Sequence, residues 1–187
     1  IFYGGHIMFK VLQIRDTARV PPNKFGEDLN QSIAEILQLQ YEGTWDKDLG
    51  FILAIHNIIE IGTGKIVPGD GSAYYETVFE ALVYLPKLYE VVEGEVEEIT
   101  EFGAFVRLGP IDGLVHVSQL TNDFINYDKK NNTLSGKETG RLLKVGDKVR
   151  ARIVTLSLKR GSAKIGLTMR QPYLGKLEWV SEDKKEG

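Results

Sequence analysis

The sequence predicts an α+β domain followed by an all-β barrel of five strands, with the boundary near Pro86. Three observations carry this. Leu29, Ile33, Ile36, Leu37 and Tyr41 recur at helical spacing between two β-rich runs. Beyond residue 90, five short apolar runs alternate with glycine-marked turns. The charge balance also changes at Pro86: residues 1–86 hold 6 Lys/Arg against 11 Asp/Glu, a net of −5, whereas 87–187 hold 17 against 15, a net of +2.

Taken in order, residues 1–7 match no periodic pattern and read as a remnant of recombinant expression, so His6 is set aside. The first domain then spans 8–86. Phe9 to Ile14 is a strand, and the run ends near Pro21-Pro22, where helix and sheet ladder are both disfavoured. A helix follows over Leu29 to Tyr41, with Glu27 and Asp28 in an acidic first turn and Gly43 as its stop. Phe51 to Ile55 is too short and β-branched for another helix. Tyr75 to Leu85 is a long strand, reached through the loop Pro68-Gly69-Asp70-Gly71-Ser72 and closed by Pro86. In the second domain, 87–187, the strands are Glu93–Thr100, Ala104–Leu108, Leu114–Ser118, Lys148–Leu156 and Lys164–Met169. Five strands with a long connection after the third suggest an OB-type barrel. The polar connection, 119–147, is expected to be partly helical or mobile.

Period-two alternation assigns the faces. Ala104, Val106, Leu108, Val115, Val117, Val149, Ala151, Ile153, Ile165, Leu167 and Met169 suit the interior. Phe105, Arg107, His116, Arg150, Arg152 and Lys164 then point outward, and Phe102 sits exposed in the turn before the second strand. For single residues two readings stand. Phe105 packs beneath the long connection or faces a base; His116 is a hydrogen-bonded structural histidine or a ligand contact. As a set, aromatics, an imidazole and cations on one surface suit single-stranded nucleic acid, because bases stack on aromatic faces while Lys and Arg follow phosphates.

Composition sets the outer bounds. At 42% hydrophobic and 26% charged the chain is an ordinary soluble globular one, and no apolar run approaches the length of a membrane span. The absence of cysteine excludes disulfides and thiolate chemistry and fits a reducing, cytoplasmic setting. The net charge of −3 argues globally against a nucleic-acid binder. Locally it does not: residues 87–128 carry −7, 129–176 carry +11 and 177–187 carry −2. Attraction to phosphate depends on local density, since screening confines it to about 10 Å. The Gly-Asp-Gly loop lacks the Gly-Lys-Ser/Thr ending of a phosphate loop, so it reads as a protruding turn. Neither the histidine spacing nor the acidic cluster Glu93, Glu95, Glu97, Glu98 and Glu101 makes a metal site, and no catalytic residues or cofactor are assigned. Pro172, Tyr173, Leu174 and Trp179 are expected to pack between the two domains.

Val92-Glu93-Gly94-Glu95-Val96, Phe102-Gly103-Ala104-Phe105-Val106, Gly113-Leu114-Val115-His116-Val117-Ser118, Val145-Gly146-Asp147-Lys148-Val149 and Ile165-Gly166-Leu167-Thr168 occur in that order. Together they resemble the RNA-binding OB repeat of ribosomal protein S-one. That resemblance places Phe102, Phe105 and His116 on positions that contact RNA; Ser157 stands where the family often has an acid, and Lys164 where an arginine is common. Asp48-Leu49-Gly50-Phe51, Gly69-Asp70-Gly71-Ser72-Ala73-Tyr74 and the stretch from Thr168 to Trp179 resemble a narrower family. These are the E-prime stalk proteins of archaeal DNA-directed RNA polymerase, counterparts of the seventh subunit of the eukaryotic polymerase II. The resemblance implies a truncated ribonucleoprotein-like N-terminal domain and a non-catalytic role. It implies docking on the polymerase core through Gly69, Asp70, Gly71 and Ser72, and pairing with the small helical F subunit of the RNA polymerase. It further implies contact with nascent single-stranded RNA and assistance at initiation with the archaeal factor E. The rival readings are a free-standing RNA-binding adaptor of translation or RNA turnover, similar to an exosome cap protein, and a metal-dependent nuclease.

Overall fold

In the computed structural model, residues 8–159 and 162–186 are described; residues 1–7, His6 among them, lie outside the described residues. Two compact units meet in sequence at Leu85/Pro86.

The N-terminal unit runs β1 (Phe9–Val20), a 3-10 turn (Pro22–Lys24), α1 (Leu29–Tyr41), β2 (Trp45–Asp46), β3 (Gly50–Ile61), β4 (Lys65–Ile66) and β5 (Ala73–Tyr84). The antiparallel sheet has the order β1-β5-β3-β2, with β4 also on β5. Helix α1 lays Ile33 and Leu37 on Ala18, Val20, Ile52, Ile55, Phe79, Ala81 and Val83. Glu27 and Asp28 precede the helix rather than forming its first turn. Asp28 is the N-cap, its carboxylate accepting from the Gln31 N–H at 2.8 Å.

Two strands of this unit, β1 and β3, are about twice as long as the sequence predicts. β1 continues through Arg15-Asp16-Thr17 because Asp16, on the inward parity, accepts from the Tyr41 hydroxyl of α1. β3 continues to Ile61 through register shifts at Ile52/Ala54, Ile55/Asn57 and Ile58/Glu60. Each shift adds a residue, so Ile52, Ile55, Ile58 and Ile61, three apart, all face the core.

The C-terminal unit runs β6 (Val91–Thr100), β7 (Gly103–Arg107), β8 (Asp112–His116), a 3-10 turn (Val117–Gln119), β9 (Ile125–Asp128), β10 (Thr133–Gly136), β11 (Leu142–Lys144), β12 (Lys148–Lys159), β13 (Ser162–Thr168), β14 (Gly175–Lys176) and α2 (Leu177–Glu186). Strands β13-β8-β7-β6-β12-β14 form one sheet, closed into a barrel by β13 on β12. β13 runs parallel to β8, whereas β7 on β8, β6 on β7, β12 on β6 and β14 on β12 are antiparallel. Val96, Ala104, Val106, Val115, Val149, Ala151, Ile153, Ile165 and Leu167 fill the interior. Val117 is the exception to the expected alternation: it lies in the 3-10 turn, half-buried.

The connection 119–147 is neither helical nor without structure. β9, β10 and β11 make a three-stranded antiparallel sheet that buries Leu134 and Leu143. The Asp123 carboxylate locks it by accepting from the Glu138 N–H (3.0 Å) and from the Thr139 N–H and hydroxyl (both 2.9 Å), which holds its pKa below the usual carboxylate value. The C-terminal aromatic Trp179 belongs to α2. Trp179 is buried beneath the Arg141 guanidinium, 5.5 Å from the ring centre.

Candidate nucleic-acid interface

Strand register places Phe105 opposite Leu114, and Leu114 opposite Gly166. This row crosses the outer face of β7, β8 and β13. A Cβ on Gly166 would meet the Thr155 Cβ at 3.1 Å, so glycine there keeps the floor low where β12 comes close. The result is a groove of about 710 Å³ lined by Phe105, Leu114, His116, Thr155, Lys164 and Gly166, with Asp112 at its edge.

At the end of β8, His116 stands across from Gly103. Its Nδ1 accepts from the Ser118 N–H at 3.2 Å and lies 2.8 Å from the Ser118 hydroxyl. With Nδ1 accepting, the assigned tautomer carries its hydrogen on Nε2 as a donor. Gly103 has φ +150°, and a Cβ there would stand 2.1 Å from the Val115 carbonyl oxygen. That glycine is what lets the Phe102 turn close onto β8. Lys164 is exposed and forms no ion pair among the described residues.

The expected common surface does not hold for the arginines. On the outer face of β6 and β12, register sets Lys148 against Glu95, Arg150 against Glu93 and Arg152 against Val91. Arg150 donates to Glu93 at 2.8 Å. Arg107 is bound to Glu97 at 2.5 Å. Arg152 has no acid on its rung, and its Nε is buried without a partner among the described residues. None of the three lines the groove. The basic and acidic blocks, separate in sequence, face one another across two strands. Phe102 is also apart: 62% exposed, it lines a second depression with Glu97, Glu98, Glu101, Tyr127 and Lys129. Of the predicted site residues, the fold gathers Phe105, His116 and Lys164.

In the N-terminal unit, the Gly69–Ser72 loop is latched from within. Asp70 accepts from Arg19 Nη2 at 2.6 Å and Nε at 3.1 Å, and from the Tyr74 hydroxyl. The Arg19 hydrogen bonds, then that of Tyr74, pull the Asp70 carboxyl down to about 2. Gly69 and Gly71 have positive φ, and Ser72 is buried. Asp70 and Ser72 therefore shape the loop, and the exposed apolar groups just before it in sequence are Ile66 and Val67.

Sequence reasoning missed Leu114 and Gly166, which lie within a motif it identified but make the floor rather than the walls. It also missed Arg170, whose Nη1 donates to the Ser118 carbonyl at 3.1 Å and Nε to Asn122 at 2.9 Å. The one available signal was its place in the basic stretch.

Among the described residues no helix is long and apolar enough to cross a membrane. Two family models match: "SHS2 domain found in N terminus of Rpb7p/Rpc25p/MJ0397" over residues 15–71, and "S1 RNA binding domain" over 85–168. The DNA-directed RNA polymerase subunit Rpo7 of Saccharolobus shibatae is 44% identical over 95% of this chain and 100% of its own. That of Sulfolobus acidocaldarius is 40% identical over 94% and 97%. The Schizosaccharomyces pombe DNA-directed RNA polymerase II subunit rpb7 is 28% identical over 90% and 99%. Two matched domains in this order, with near-complete coverage at over 40% identity, show that the chain belongs to the Rpo7/Rpb7 family of DNA-directed RNA polymerase subunits.

Proposed function

We propose that the chain is a non-catalytic stalk protein of the polymerase that holds nascent single-stranded RNA in the groove of its C-terminal barrel. The observation that carries this is the convergence of Phe105, His116 and Lys164 around an apolar floor. Phe105 supplies a stacking face, the His116 Nε2 hydrogen a donor to a base or sugar oxygen, and Lys164 a charge for phosphate. This combination binds single strands with little base preference. The N-terminal unit docks on the polymerase core through the tip carrying Ile66 and Val67, with Asp70 keeping the loop in shape from within. The small helical F subunit is its partner, and the pair assists initiation, with the factor E as a further partner. Support for these assembly roles comes from the kinship with Rpo7 subunits.

Fluorescence anisotropy with single-stranded RNA tests the groove. Phe105→Ala weakens binding about 5- to 150-fold, the range expected for one lost base stack. A Phe105→Ala protein that binds as wild type overturns the assignment. Co-purification of the untagged chain with a small helical protein and the large polymerase subunits tests the assembly.

A further inference from the structure

We infer that the RNA path extends beyond the groove, across Arg170, onto Tyr173 as a second stacking platform. This rests on the groove reading above. After β13 the chain is tied to the turn that follows His116: Met169 N–H donates to the Gln119 carbonyl and the Thr168 hydroxyl to the Gln119 side chain, both at 2.8 Å. The anchoring delivers Arg170 to Ser118, the same residue that holds the His116 ring. Arg170 is oriented by two neutral oxygens, the Ser118 carbonyl and the Asn122 amide. Arg107, Arg150 and Arg141 are instead paired with Glu97, Glu93 and Asp183. Arg170 is thus a positioned cation whose charge is not cancelled, which is what a phosphate contact requires.

Three residues on, Tyr173 is 65% exposed and holds φ at +64°. Left-handed backbone is unfavourable for a non-glycine residue. The chain nevertheless places an aromatic there, in a turn where Leu174 N–H donates to the Gln171 carbonyl at 3.2 Å. With Arg170 and Asn122 it lines a depression of about 340 Å³. The two C-terminal aromatics therefore divide: Trp179 is buried as an anchor, and Tyr173 is presented to solvent. An exposed ring beside an uncancelled cation, contiguous with a stacking groove, fits the next nucleotides of a single strand.

The test compares the full-length wild-type chain with Tyr173→Gly and Tyr173→Trp, using oligouridylates of about 4 and about 12 nucleotides, which span the site sizes of such barrels. Glycine suits the positive φ, so this variant removes the ring without a folding penalty, and an unchanged or raised melting temperature confirms it. Tyr173→Gly lowers the ratio of long- to short-oligomer affinity about 5- to 150-fold, and Tyr173→Trp, which keeps an aromatic face, keeps the wild-type ratio. An unchanged ratio in Tyr173→Gly, with both oligomers bound by the wild type, overturns this inference and leaves the groove reading standing. A wild type that binds neither oligomer, or a Phe105→Ala protein that binds the short one normally, overturns the groove reading and this inference with it.

Discussion

Lys164→Ala and Arg150→Ala remove one positive charge each from the same barrel, yet the structure predicts different consequences for RNA. The affinity of a single strand falls with salt in proportion to the phosphates neutralised, with a slope of about 0.7 per contact in logarithmic units. Lys164 lies at the groove and has no acid partner among the described residues, so its loss removes about one contact. Between 50 and 200 mM salt, one contact corresponds to about a 2.6-fold change in affinity. Arg150 is already satisfied by Glu93 at 2.8 Å, and one rung along Lys148 stands opposite Glu95. A phosphate approaching it meets almost no net charge, so Arg150→Ala leaves the slope within about 0.2 of wild type. The assay is anisotropy of a labelled oligouridylate across that salt range, with slopes compared rather than single affinities. Equal loss of slope in the two variants would falsify the assignment of the RNA face to β7, β8 and β13.

Two further outcomes follow from the backbone and from one carboxylate. Gly103→Ala places a Cβ 2.1 Å from the Val115 carbonyl oxygen at φ +150°, so it costs more than about 2 kcal/mol, measured as a lower urea midpoint. Gly146→Ala, at φ +87° with open space around its Cβ, costs only about 1 kcal/mol by the same measurement. Asp70, with its folded pKa pulled down to about 2, contributes stability that is complete above the ordinary carboxylate value. That contribution is lost as pH falls from about 4 through about 2, because the unfolded chain takes up the proton first. Carboxyl NMR of the intact chain reads the titration directly, and Asp70→Asn removes Asp70's share of the pH dependence in that window, leaving that of Asp123 and the other depressed carboxylates. Titration of Asp70 near the ordinary value of about 3.9 would contradict the Arg19 latch.

Much of the fold was legible because apolar periodicity reports burial directly. The α1 spacing and the alternation in β7, β12 and β13 reach the structure nearly unchanged. What failed was periodicity interrupted for a physical reason. The isoleucines of β3 recur every third residue, a pattern that belongs to no regular strand, and only three successive bulges turn all four inward. Asp16 breaks the apolar run of β1 because its inward carboxylate is satisfied by Tyr41, a partner that lies 25 residues away. Strands β9 to β11 are three or four residues each, too short for alternation to register. Their sheet is held by the Asp123 carboxylate, whose partners no local pattern reveals.

The site follows the same division. Alternation gave the outward direction of Phe105, His116 and Lys164, and direction was enough because their strands are neighbours. It also gave the outward direction of Arg150 and Arg107, but an outward side chain is available to a ligand only if nothing across the next strand claims it. That depends on register. One-dimensional charge counting separates the −7 and +11 blocks, whereas β6 lies beside both β7 and β12 and brings the blocks into contact. There Arg150 is consumed by Glu93, and on β7 Arg107 by Glu97. The proposed path draws on cations that form no ion pair among the described residues, Lys164 on β13 and Arg170 just after it, the latter held by neutral oxygens. The two sit at opposite ends of the stretch from β13 to the turn at Gln119, on either side of the His116 ring that Ser118 holds. A binding face defined by uncancelled rather than total charge is narrow. On the proposed reading it directs a single strand along one line of the barrel instead of adsorbing it over the whole surface.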